Sequence, residues 1–94
     1  MQSFDIEYSE EKNELLKKIR GVCFDDVVDA LEHGGFVTIL ESQKRMYQHQ
    51  QVLVVRVNDY IHAVPFVWKT QKKVFLKTVF PDRKLHKVYG GKYE

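Results

Sequence analysis

The chain has 94 residues, 44% of them hydrophobic, which suits one domain with a modest core and excludes the disordered class. Its net charge of +2 is the sum of opposed halves: residues 1–43 carry 4 Lys/Arg against 10 Asp/Glu (−6), and residues 44–94 carry 11 against 3 (+8). A single cysteine, no apolar run of membrane length and no hydrophobic leader set aside disulfide scaffolds, membrane spans and secretion signals, so one cytoplasmic domain over residues 1–94 is expected.

Phe4, Ile6 and Tyr8 alternate with Asp5 and Glu7, the period of a short strand with one covered face. Ser9 is a suitable N-cap for a helix running to about Arg20, with Glu10 and Glu11 where the free amides favour anions. Leu15, Leu16 and Ile19 are its expected buried stripe, and Gly21 closes it. A second helix is expected over Phe24 to His33, with Phe24, Val27, Val28 and Leu31 on one apolar face and Gly34-Gly35 at its end.

From Phe36 the period becomes strand-like. FVTIL is a short strand, and ESQKRMYQHQQ is a polar connection or a ragged edge strand. VLVVRV and YIHAVPFVW flank an Asn58-Asp59 turn. Pro65 requires a free amide position, through an edge or a bulge. KTQKK leads into VFLKTVF, which Pro81 stops. Asp82 then opens a short helix with Lys84, His86, Lys87 and Tyr89, ended by Gly90-Gly91. The expected fold is α+β: β-α-α, a three- to four-stranded antiparallel sheet, and a C-terminal helix.

With two-residue turns at Asn58-Asp59 and Thr70-Gln71, position 56 lies opposite 61, 55 opposite 62, and 64 opposite 77. Val54, Arg56, Ile61, Ala63, Val67, Val74, Leu76, Thr78 and Phe80 then share the face expected under the helices. His62 and Lys77 meet on the other, an otherwise apolar face where a lysine must be paired, snorkel to solvent or serve a site. A one-residue slip would exchange the faces and leave Arg56 as the cation in question.

The basic second half would attract a polyanion such as nucleic acid, or an acidic protein; equally, it fits a solvated lysine-rich sheet edge. No Gly-rich phosphate loop follows a strand, and the four histidines and lone cysteine have no metal-ligand spacing, so no cofactor and no metal are expected. Cys23, beside an apolar helix start, reads as a small buried thiol.

FDIEYSEEKN at 4–13 and RGVCFDDVVDAL at 20–31 resemble the opening of the BrnT toxins of bacterial toxin–antitoxin pairs. Lys12 and Asn13 match that family's helix-start pair. Gly21, Phe24, Asp25 and Asp26 follow its His-Gly-(Val/Ile)-Ser-Phe-Glu-Glu segment, with Arg20 in place of the histidine and Cys23 of the serine. YIHAVPFVWKTQKKVFLKTVFPDRKLHKVYG is similar to a related branch with a Val-Pro-Phe strand and a Lys-Thr-x-x-Pro-x-Arg-Lys segment. The resemblance implies a RelE-like fold, metal-independent RNA cleavage, and neutralisation by a cognate antitoxin, a small DNA-binding protein.

It also implies a site of basic residues near the sheet and C-terminal end, which maps onto Lys77, Arg83 and Lys87; the register argument adds His62. Cleavage requires removal of the 2′-hydroxyl proton, stabilisation of phosphoryl charge and protonation of the 5′-oxygen. His62 suits the base, Arg83 bidentate phosphate binding, Lys77 the developing charge, and Lys87 or Tyr89 the leaving group. Arg56 and Lys84 suit positioning of the RNA backbone. The competing expectation is a non-catalytic domain on the same scaffold that binds nucleic acid or a protein partner.

Overall fold

The computed structural model describes residues 5–41 and 51–90. The elements run β1 (Asp5–Glu7), α1 (Glu10–Ile19), α2 (Phe24–Glu32), β2 (Phe36–Glu41), β3 (Gln51–Val57), β4 (Tyr60–Thr70), β5 (Lys73–Leu76), β6 (Phe80–Pro81) and α3 (Arg83–Tyr89). The fold is α+β, but the sheet is larger than expected and mixed. Its order is β1-β5-β4-β3-β2, β6 also pairs with β4, and β1 joins the edge parallel to β5. The polar connection expected between β2 and β3 lies mostly outside the described residues. Among the described residues, no helix is long and apolar enough to cross a membrane.

Local chemistry explains the helix ends. The Ser9 side chain accepts the Lys12 amide hydrogen at the start of α1, and Asp82 Oδ1 accepts that of Leu85 at the start of α3. Gly21 (φ +74°) lies just beyond α1, where a left-handed backbone is easiest without a Cβ.

The buried stripe of α1 differs from expectation. Leu16 is buried, but Leu15 and Ile19 are 50% and 64% exposed, and the second inward residue is Asn13 at 1%. Asn13 displaces the apolar residues because it is bonded at both ends. Its Oδ1 accepts from the Phe24 amide (2.8 Å) and its Nδ2 donates to Asp25 Oδ2 (3.2 Å). Asp25 also accepts from the Tyr8 hydroxyl (2.8 Å), while Asp26 turns back to accept from the Cys23 amide (2.9 Å). Tyr8, Asn13, Asp25 and Asp26 thus fasten β1, α1 and the start of α2 together. Phe24, fully buried, packs 5.0 Å from the Tyr8 ring.

Asn58 and Asp59 form the β3–β4 turn with φ of 52° and 66°, the left-handed pair that a two-residue hairpin requires. The register follows as expected, with Arg56 opposite Ile61 and Val55 opposite His62. The next hairpin departs from expectation. Its turn is Gln71-Lys72, with an irregularity between Trp68 and Thr70, so Phe66 faces Leu76 and Trp68 faces Val74. That moves β5 by one position.

Val74 and Leu76 lie under the helices as expected, but β3 and β4 turn the opposite face to them. Leu16, Val22, Phe24 and Val27 pack on Leu53, Val55, Val57, Val64, Phe66, Val74 and Leu76. The opposite face is not open either: Val54, Ile61 and Ala63 are all at 2% exposure or below, and α3 packs against β4.

Pro65 sits in the central strand rather than at an edge, paired with Val52 of β3, and its free amide position falls where the pairing of β4 with β5 ends. The Lys77 amide donates to the Pro65 carbonyl (2.8 Å), but proline has no hydrogen to return the bond. The ladder breaks there, residues 77–79 leave the sheet, and β6 resumes beside β4 with His62 opposite Pro81.

Candidate functional site

The first residue of β4 is a packing centre. The Tyr60 ring stacks on the His86 ring of α3, with centroids 4.0 Å apart and planes 12° apart, and meets the His62 ring edge-on at 6.1 Å. Two imidazoles from distant positions in the chain therefore gather around one tyrosine. Asp82 starts α3 immediately after β6, and His86 lies one turn on, so the helix start fixes where that ring falls.

The hydrogen bonds of the two rings set their tautomers. His62 Nδ1 lies 2.9 Å from the Tyr60 carbonyl oxygen, which can only accept. Nδ1 therefore bears the hydrogen, and Nε2 is the basic nitrogen of the neutral ring. His86 shows the reverse arrangement. Its Nδ1 accepts the Ile61 amide hydrogen at 3.2 Å, so its hydrogen is on Nε2. His62 is only 7% exposed, yet no buried side-chain nitrogen or oxygen of the described residues lacks a partner. Nε2 of each ring is thus not sealed away from solvent.

Cations surround this pair unevenly. Arg83, Lys84 and Lys87 are exposed on α3. Arg83 and Lys87 are one helical turn apart, and His86 is three residues after Arg83, so the three side chains are surface neighbours. Arg20, at the end of α1, donates to the Val79 carbonyl (3.4 Å) and lies 6.0 Å from the Phe80 ring, just before the residue that faces His62.

The remaining expected site residues lie apart. Lys77 is level with Pro65 rather than with Val64, and the Phe75 ring beside its ammonium is opposite Val67, on the other face of β4 from His62. The expected juxtaposition of His62 and Lys77 does not form; its cause is the displaced β4–β5 turn. Lys77 is exposed, with Nζ 5.6 Å from the Phe75 ring. Arg56 donates to the Tyr89 carbonyl (3.3 Å), placing a cation at the carbonyl end of α3. Tyr89 is half-buried.

Arg56 also borders an open cleft of about 350 Å³ that includes Asp26, Asp29, His33, Gly35 and Asp59. The hydrogen bond to the Asp29 carbonyl, with the Asp29 carboxylate nearby, pushes the His33 pKa up. Three carboxylates there oppose a polyanion, so the chemistry of this cleft differs from that of the α3 surface.

Reading the sequence put Tyr60 on the face of His62 but missed His86 and Arg20 as companions of that pair. Asp82 as an N-cap gives the spacing of Arg83, His86 and Lys87. The stack on Tyr60 depends on where β6 returns, which no short motif encodes. Compared with known proteins, the chain matches no family model, and no curated protein or solved structure matches it.

Proposed function

We propose that the chain is a BrnT-like toxin of RelE-like fold, a metal-independent endoribonuclease neutralised by a small DNA-binding antitoxin. The observation that carries this reading is the gathering of Arg83, Lys84 and Lys87 on the helix whose His86 packs, with His62, around Tyr60. The motif resemblance at both ends of the chain supports it, as does the +8 balance of the second half.

In this reading His62 Nε2 takes the proton of the ribose 2′-hydroxyl as its oxygen bonds to phosphorus. The phosphorus–5′-oxygen bond breaks, and the 5′-oxygen receives a proton from the Lys87 ammonium. Arg83 holds two phosphoryl oxygens while their charge rises. The products are a 2′,3′-cyclic phosphate and a 5′-hydroxyl end; water returns the proton to Lys87 and removes the one on His62. Lys77, whose ammonium lies beside the Phe75 ring, is given no step in this reading.

The test is cleavage of end-labelled RNA by purified protein in a chelator. Cyclic phosphate ends are expected, with a loss of about 100-fold or more for His62→Ala. Intact RNA with the folded wild-type protein would overturn the reading, as would full activity in both His62→Ala and Arg83→Ala. Binding without cleavage would favour the non-catalytic interaction domain instead.

A further inference from the structure

The paired imidazoles carry an inference about the ligand itself. His62 and His86 are opposite in hydrogen-bonding character. One is pinned through Nδ1–H to the Tyr60 carbonyl, leaving an acceptor at Nε2. The other is pinned through a bare Nδ1 to the Ile61 amide, leaving a donor at Nε2. Both rings touch Tyr60, so their centroids are no farther apart than those two ring separations combined.

A ribose carrying a 3′-phosphate has the complementary pattern. Its 2′-hydroxyl donates, and a non-bridging phosphoryl oxygen on the adjacent carbon accepts. A deoxyribose 3′-phosphate has only the acceptor. We propose that His86 Nε2–H donates to the phosphoryl oxygen while His62 Nε2 accepts from the neighbouring 2′-hydroxyl, so that the pair selects ribonucleotides over deoxyribonucleotides at one phosphate. For its substrate the inference rests on the ribonuclease reading; for its geometry it rests on the two fixed tautomers.

His86 is then a hydrogen-bond donor to phosphate, not a proton source. Giving up its Nε2 hydrogen while Nδ1 remains bare would leave an anionic ring. The Ile61 amide and the Tyr60 stack keep that donor aimed without a conformational step, the preorganisation that makes fixed dipoles effective against developing charge. Gly90 belongs to the same device. A Cβ there would run into the His86 ring, so a side chain at position 90 would push that ring from its place.

The test uses the full chain with ¹⁵N-labelled histidine and two uncleavable probes, a ribonucleoside 3′-monophosphate and its 2′-deoxy counterpart. Long-range proton–nitrogen spectra of the free protein should show hydrogen on Nδ1 of His62 and on Nε2 of His86. Both nucleotides should shift His86 Nε2, and only the ribonucleotide should shift His62 Nε2. His86→Ala should weaken binding of both about tenfold. His86→Gln, which keeps a carbonyl for Ile61 and an amide for phosphate, should recover part of the loss with the fold intact by its amide spectrum. A His86 ring with hydrogen on Nδ1 overturns the inference, as do two nucleotides that shift His62 alike or leave both rings unmoved. If the shifts appear as described but RNA is never cut, the ribonuclease reading falls and the ribonucleotide-selective pair stands.

Discussion

Asn13 Oδ1 accepts the Phe24 amide hydrogen at 2.8 Å, closing the start of α2 from within α1. The bond is buried at both ends, and the Phe24 amide is one that α2 cannot satisfy itself. Replacing Asn13 by Ala leaves that donor without a partner and removes the bond to Asp25 as well. A loss of about 1–3 kcal/mol is expected. Urea denaturation of Asn13→Ala against wild type measures it, and a midpoint within error of wild type would show that water or a neighbour satisfies Phe24.

The Tyr8–Asp25 bond makes stability depend on pH at both extremes. Hydrogen bonding to Asp25, then burial, pushes the Tyr8 pKa up to about 12 from its ordinary value of 10.0. The folded state therefore holds this proton more tightly than the unfolded chain does. Its contribution is complete below pH 10 and declines as pH rises toward the folded value. For Asp25 the sign is opposite. Bonds from Tyr8 and Asn13 and contact with Lys17 lower its pKa, so its contribution is present above the ordinary carboxylate range and lost as pH falls. Tyr8→Phe should flatten the alkaline fall between pH 10 and 12 and weaken the acid one. Melting curves of the two proteins across both limbs check this; parallel curves would exclude the bond as their cause.

These residues also mark how far the sequence was legible. The caps at Ser9 and Asp82, the Asn58-Asp59 hairpin and the order of elements up to β5 follow from local chemistry and are found as read, whereas VFLKTVF, read as one strand, is divided between β5 and β6. The buried face of α1 was misread because hydrophobicity favours Leu15 and Ile19, whereas partners eleven and twelve residues away make Asn13 an inward residue. The sheet faces were misread because both are apolar. With Val54 and Val55 equally suited to burial, only register decides, and one residue gained at Gln71-Lys72 moves all of β5. β1 was legible as a strand but not as a neighbour of β5, a parallel pairing across nearly seventy residues. His62 could be singled out as a polar residue among apolar ones; its companion His86 could not, because the stack is made by the return of β6.

Gly35 joins α2 to β2 where two backbones nearly touch it. Its amide donates to the Ala30 carbonyl (2.7 Å), and its carbonyl accepts from the Arg56 amide (2.8 Å). A Cβ at this position would lie 2.7 Å from the Arg56 carbonyl oxygen and 2.9 Å from that of Ala30. Neither oxygen belongs to a side chain that can swing away. Gly35→Ala should therefore cost about 1–3 kcal/mol by overpacking, seen as a lower denaturation midpoint at unchanged slope. Gly34, its neighbour, has open space around a Cβ but a φ of +84°, so Gly34→Ala tests backbone strain separately.

The exposed cations of α3 make the most direct prediction about RNA. Each phosphate neutralised releases condensed counterions, so for a single strand every contact adds about −0.7 to the slope of log K against log salt. If Arg83, Lys84 and Lys87 each meet one phosphate, replacing any one by Ala should reduce the slope by about 0.7 and weaken binding with little dependence on sequence. Lys72 lies in the β4–β5 turn, carries the same charge and is equally exposed. Lys72→Ala should leave the slope unchanged if binding is local to α3. Filter or fluorescence titrations of a short RNA at several salt concentrations measure all four variants. Equal slopes for the α3 and Lys72 variants would mean that the RNA responds to overall charge, and the claim of a site on α3 would fail.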